Sequence, residues 1–218
     1  MCGRFINITE EKKIKKIFNI SEINKFSKKS YNIRPQQNIN VLFLDEGDVK
    51  LDSIKWGYSF YNEYTNKNQL IINSRLETIN SKLLFKESFL KRKCIVLANG
   101  YFEWKSLNNE KLPYFINLPE KELFFFAGIW RLEQINNNIV SVCCIITKEA
   151  NNEIKNIHDR MPVIFSYNEA LNYLDDKNNE FCKKLKQSEI EYDLDFYQIS
   201  KKINNPLNNF KECLDPIN

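Results

Sequence analysis

The chain has 218 residues, 43% of them hydrophobic, which is enough to bury one substantial core. Its 32 Lys and Arg against 28 acidic residues leave a net charge of +4, a balance that admits a nucleic-acid partner but excludes the dense basicity of a chromatin arm. The longest apolar stretch, residues 123–130, falls far short of the roughly 20 residues of a spanning helix, so no membrane segment is expected.

In chain order, Thr9 is placed to cap a short amphipathic helix with Glu10 and Glu11 in its first turn and Ile14, Ile17 and Phe18 on its apolar face. Strand-type runs follow at 39–44, 51–58, 69–73, 94–98, 114–118, 123–130 and 139–147. Between them, residues 78–89 read as a helix, and a short one is expected from Asn151. Another begins at Ser166, where Ser-Tyr-Asn-Glu169 is a capping box ahead of Ala170, Leu171 and Leu174. Because strands cluster instead of alternating with helices, the expected fold is α+β with a mixed or antiparallel sheet, in a single domain over residues 1–218.

The six cysteines, Cys2, Cys94, Cys143, Cys144, Cys182 and Cys213, show no CxxC spacing and no secreted framework, and no charged-then-apolar leader is evident. Reduced thiols in a cytoplasmic protein are expected. A single histidine and scattered cysteines argue against zinc, and no other cofactor is indicated.

Cys2 follows the initiator methionine, and trimming of Met1 would leave an α-amine and a thiol on one residue. Such a 1,2-aminothiol condenses with an aldehyde to an imine, and the thiolate then closes a stable thiazolidine on the same carbon. The two groups titrate at about 8 and about 8.5, so both have a usable deprotonated fraction near neutrality. Alternatively Cys2 is a small buried hydrophobe. In Asn99-Gly-Tyr-Phe-Glu-Trp104 the carboxylate of Glu103 sits between aromatics, which suits a proton donor and acceptor with a raised pKa; a solvent-facing strand residue is the other reading. His158, in Ile157-His-Asp-Arg-Met-Pro162, is either an acid or hydrogen-bond donor at an element boundary or a structural histidine. Asn73-Ser-Arg75 ends an apolar strand. The segment Asn32-Ile-Arg-Pro35 and the residues Arg4, Arg75 and Arg160 are candidate phosphate contacts, with Trp56, Tyr58 and Trp104 available for stacking; Trp104 could equally be core.

Taken together, MCGRF, NIRP, WGYSF, INSRLET, CIVLANGYFEWK, PYFI, FAGIW, IITKEAN and IHDRMPVIF, from Cys2 to about Asn204, resemble the SOS-response-associated peptidase (SRAP) family of abasic-site sensors. The resemblance implies a curved, barrel-like sheet flanked by helices and a positive cleft for single-stranded DNA. It implies that Cys2 forms a thiazolidine with a ring-opened abasic deoxyribose and that Asn73 orients the amine or imine. Glu103 would shuttle protons, and His158 would assist the departing ring oxygen. Arg4, Asn32, Pro35, Arg75, Trp104, Thr147 and Arg160 match DNA-contacting positions. The resemblance further implies a cofactor-free monomer associated with the nucleoid on damage, with suspected self-processing peptidase activity and β-elimination through the imine. Ser74, Arg34 and Asn99 depart from the family pattern, Phe60, Tyr61 and Tyr64 stand in place of a tryptophan-rich stretch, and Leu84 falls where some relatives place a wedge. Two rival readings are a thiol peptidase using Cys2, Glu103 and His158, and a passive single-strand or modified-base binding module.

Overall fold

The computed structural model describes residues 2–20, 23–119, 123–181, 183 and 193–217; Met1 and Cys182 lie outside them. Strand β1 (Arg4–Asn7) leads to helix α1 (Glu11–Phe18), then β2 (Ser30–Ile33), β3 (Asn38–Asp45) and β4 (Asp48–Trp56). Next come β5 (Tyr58–Asn62), β6 (Lys67–Ile71), β7 (Asn73–Arg75), α2 (Leu83–Lys91), β8 (Lys93–Ala98), β9 (Gly100–Leu107) and β10 (Glu110–Asn117). The long strands β11 (Phe124–Ile135) and β12 (Asn138–Glu149) precede α3 (Asn152–Lys155), β13 (Arg160–Pro162), β14 (Ile164–Phe165), α4 (Tyr167–Asp175) and β15 (Asp195–Gln198).

Positive-φ residues turn the chain tightly. Glu46-Gly47, Asn108-Asn109 and Asn136-Asn137 all have φ above zero, as two-residue hairpin loops of the primed type require, and they join β3 to β4, β9 to β10 and β11 to β12. Pairing then runs β12–β4–β3–β8–β11 and back to β12, which closes a five-stranded barrel whose one parallel contact is β4 with β12. A closed barrel leaves no free edges among these strands. The architecture is α+β with a barrel-like sheet flanked by helices, as expected.

The period of two along the barrel strands sorts its side chains into two sets. Ile39, Val41, Ile54, Trp56, Val96, Phe126, Cys143 and Ile145 meet in the barrel interior. Their neighbours, including Leu42, Ile95, Leu97, Phe125 and Cys144, pack outward against Ile14 and Phe18 of α1, Phe85 and Phe89 of α2, and Tyr173 and Leu174 of α4. Strand β8 is therefore buried at every residue.

A second sheet, β2–β1–β9–β10–β15, is antiparallel throughout. One face carries Phe5, Tyr101 and Ile116 into the barrel's interior cluster. The opposite face carries Ile6, Phe102 and Phe115 against Ile199, Ile203, Cys213 and Leu214 of the C-terminal segment. This sheet plugs the barrel, and its period of two decides where Glu103 points.

Several local expectations change. The helix expected at 78–89 begins only at Leu83, because residues 76–81 form turns with Thr78 N–H on Arg75 O and Ser81 N–H on Thr78 O. Thr9 does not cap α1: Glu10 occupies that position without a side-chain cap, and the Thr9 hydroxyl instead donates to Asn99 Oδ1 at 3.0 Å. The run 51–58 is broken at Gly57, whose φ of +121° separates β4 from β5. The capping box at Ser166 and Glu169 is present. Among the described residues no helix is long and apolar enough to cross a membrane.

Candidate active site

Cys2 is fully buried two residues before β1 begins, within the barrel cluster. The strand that carries it is fixed by Asn99, whose backbone N–H donates to Ile6 O and whose Oδ1 accepts from Ile8 N–H, both at 2.9 Å. Asn73 opens β7, which lies parallel to β12 with Asn73 opposite Ile145, and Trp56 Nε1–H secures the preceding Ile72 carbonyl at 3.0 Å. From there Asn73 Nδ2 donates to Cys2 O at 2.9 Å. Two residues 71 apart in sequence are thus joined by one hydrogen bond.

Glu103 follows Tyr101 on the barrel-facing side of β9 and is only 2% exposed. Burial raises its pKa, with nearby positive charge, including His158, opposing the shift. A solvent-facing Glu103 is thereby excluded. Burial also pushes the Cys2 thiol far above its ordinary range, and the Glu103 charge adds to that effect. His158 comes from the turn after α3, which Asn151 caps by accepting from Ile154 N–H at 3.1 Å. Its Nε2 lies 3.9 Å from Glu103 Oε2, within ion-pair range and too long for a direct hydrogen bond.

Two groups compete for the other ring nitrogen. Arg160 N–H donates to His158 Nδ1 at 3.0 Å, while Asp159 Oδ1 lies 2.9 Å from the same atom. The amide contact requires a bare Nδ1 and so a proton on Nε2, facing Glu103; a protonated Nδ1 would turn to Asp159 instead. The tautomer of His158 is therefore tied to the geometry of the turn.

An open cleft of about 530 Å³ covers this corner, lined by Arg4, Glu103, Trp104, Ser106, Lys111, His158 and Asn204. Trp104 is half-buried and its Nε1–H donates to Asn204 Oδ1 at 2.8 Å. Arg4 donates to Asn32 Oδ1 at 2.9 Å and Ile203 O at 2.8 Å, and partial burial together with the neighbouring Arg34 charge lowers its pKa. Lys111, Ser106 and Asn204 escaped sequence reasoning because they belong to no motif and reach the cleft only through the β9–β10 hairpin and the C-terminal segment.

The other expected DNA contacts divide into two groups. Arg75 is exposed and Pro35 half-buried. Asn32, Thr147 and Arg160 are buried. Asn32 Nδ2 is held by the carbonyls of Ile203, Asn205 and Asn208, Thr147 donates to Ser74 O at 3.3 Å, and Arg160 reaches Glu77 and Thr147 O. Trp56 and Tyr58, offered as stacking surfaces, are instead fully buried, the first in the barrel interior and the second beneath the Arg131 guanidinium at 4.2 Å. Leu84 packs against the helix-side core, and its neighbour Leu83 is the exposed one. Among the described residues no group of His, Cys, Asp and Glu is disposed to hold a metal ion.

The chain was compared with known proteins. Residues 1–206 match the model of the family described as SOS response associated peptidase (SRAP). The chain is 33% identical over 230 residues to abasic site processing protein YoaM of Bacillus subtilis, covering 100% of this chain and 99% of the relative. It is 32% identical over 224 residues to abasic site processing protein YoqW of the same organism, covering 99% of each. A crystal structure of a protein from Bacteroides thetaiotaomicron shares the fold at a TM-score of 0.83 and 20% identity, covering 99% of this chain and 100% of that one. The chain belongs to the SOS response associated peptidase (SRAP) family.

Proposed function

We propose that this chain is an abasic-site sensor which, once Met1 is removed, captures the ring-opened abasic deoxyribose of single-stranded DNA as a thiazolidine on the amine and thiol of Cys2. The observation that carries this reading is the hydrogen bond of Asn73 to the carbonyl of a buried Cys2, together with the Glu103–His158 pair that lines a cleft bearing Arg4 and Lys111. The relatives' names, abasic site processing proteins, point the same way.

A buried thiol with a raised pKa is a poor first nucleophile, so the α-amine attacks first. Glu103, whose raised pKa brings it toward neutrality, exchanges protons as the sugar opens and the imine forms. His158 donates to the departing ring oxygen from Nε2. The sulfur then closes the ring, and the resulting cross-link shields the lesion from strand breakage. Arg4, Lys111, Arg75 and Pro35 meet the phosphate backbone and Trp104 offers a ring for stacking, whereas Asn32, Thr147 and Arg160 hold the framework beneath. Such contacts read no base sequence.

In this reading the chain acts as one unit over residues 1–218, as a monomer without cofactor, in the cytoplasm and on the nucleoid after damage. β-Elimination through the imine and thiol-dependent removal of its own Met1 are side activities of the same residues. The test is a denaturing gel of Met1-processed protein with single-stranded DNA carrying one abasic site, beside intact DNA and Cys2→Ala. A shifted band that needs both lesion and Cys2 is expected. Its absence, with a free Cys2 amine verified by mass spectrometry, would sink the reading in favour of a peptidase or a passive binding module.

A further inference from the structure

Tyr101 has no part in the reaction as described, yet it packs in the same buried cluster as the reacting residue. The side chain is fully buried and its hydroxyl has no hydrogen-bond partner, an arrangement proteins avoid because a buried unpaired donor is costly. The ring packs edge-on against Phe126, with centroids 6.0 Å apart, and a phenylalanine would make that contact equally well. The hydroxyl itself therefore needs a reason.

Its position supplies one. Tyr101 pairs with Phe5 across β9 and β1, and shares the barrel-facing side of β9 with Glu103. It belongs to the interior cluster that includes Cys2. Negative charge on Cys2 or Glu103 acts on the phenol directly, and burial keeps it protonated, so it remains a donor at any working pH. The titratable groups around it are Cys2, Glu103 and, across from Glu103, His158, with the thiols of Cys94 and Cys143 deeper in the same cluster.

We infer that Tyr101 is a positioning residue whose hydroxyl, unpaired in the resting thiol form, turns to donate a hydrogen bond to the Cys2 sulfur as it ionises and holds it for ring closure. This rests on the abasic-site reading and deepens it. In the closing step the thiol gives its proton to the Glu103 carboxylate. The sulfur lone pair forms the S–C bond to the iminium carbon, and the C=N π pair moves onto nitrogen, leaving a neutral ring amine. Tyr101 gains and loses nothing; it stabilises the thiolate that burial would otherwise suppress.

The experiment compares Met1-processed wild type with Tyr101→Phe on two probes, glyceraldehyde followed by mass of the N-terminal peptide, and single-stranded DNA with one abasic site. Rates are read from about pH 6 to about pH 9, spanning the ordinary thiol range. The variant is expected to close the ring about tenfold more slowly or worse, the worth of one hydrogen bond to a charged group, with its rate profile moved to higher pH. Its urea midpoint should be unchanged or higher. Equal rates and superimposable profiles would overturn the assignment, and so would a uniform fall at every pH accompanied by a lower urea midpoint, which marks a merely structural role. Wild type that reacts with glyceraldehyde but not with DNA removes the abasic-site reading, and the aldehyde rates still decide Tyr101. Wild type that reacts with neither overturns both.

Discussion

Arg160 and Glu77 form a two-point ion pair, Nη1 to Oε1 at 2.8 Å and Nη2 to Oε2 at 2.9 Å. The same Arg160 places its own backbone N–H on His158 Nδ1, so the pair anchors the turn that aims the imidazole at Glu103. Arg160 also ties β13 to β12 through Thr147 O at 2.7 Å.

Glu77→Gln should therefore destabilise the protein by about 1–3 kcal/mol, between the limits for surface and buried pairs, because it strands a largely buried guanidinium. Burial works against the Glu77 carboxylate, but the hydrogen bonds and charge of Arg160, together with backbone N–H donors of Glu77 and Glu149, outweigh that and lower its pKa. A depressed folded-state pKa contributes stability above the unfolded value of about 4.3, which is lost as pH falls through the folded one. Urea titrations should show the gap between wild type and variant at neutral pH closing in acid. A gap independent of pH would contradict the pairing.

Glu103→Gln should separate stability from function. A folded-state pKa raised by burial means that stability is fully present below the unfolded value of about 4.3 and is lost as pH rises through the folded value. Glutamine never ionises, so the variant should gain in Tm over wild type as pH rises, while cross-linking slows about a hundredfold or more for want of a proton carrier. Calorimetry at acid and alkaline pH, run beside the cross-linking gel, checks both. A variant less stable at alkaline pH would show that the carboxylate is compensated after all.

How much of this was legible beforehand follows from which residues speak locally. The capping box of Ser166 and Glu169 and the strand-type runs Cys94 to Ala98 and Ile139 to Thr147 depend on neighbours in sequence, and the structure has them. The burial of Trp56 and Tyr58 depends instead on the barrel closing through β4 and β12, a pairing of strands remote in sequence that no local pattern encodes. The same holds for Arg160, since nothing near it in the chain announces Glu77, and for Asn204, which reaches Trp104 from the C-terminal segment. Asn73, Glu103 and His158 are singled out only by the ensemble of motifs; each alone reads equally well as structural.

Gly100 opens β9 against the ring of Phe115 on the next strand. A Cβ there would lie 2.3 Å from Phe115 Cζ and 3.0 Å from the Ile116 carbonyl oxygen. Gly100→Ala should cost about 1–3 kcal/mol by overpacking and should disturb Tyr101 and Glu103, which follow on the same strand. Combined with Phe115→Leu, which withdraws the ring, the penalty should shrink well below the sum of the single changes. Simple additivity in urea denaturation would mean that the ring is not what excludes the side chain.

Cys2→Ser distinguishes the two halves of the aminothiol. The serine amine still lies just ahead of β1, with its carbonyl held by Asn73, so the imine should form and borohydride should trap it on abasic DNA. The hydroxyl is a far weaker nucleophile than a thiolate and should not close a persistent ring, so the unreduced adduct should be lost on heating. Because the imine then persists, it is also open to β-elimination, and strand cleavage should rise as the stable cross-link falls. A heat-stable adduct equal to wild type, obtained without borohydride, would rule out ring closure through sulfur and with it the task assigned to Tyr101.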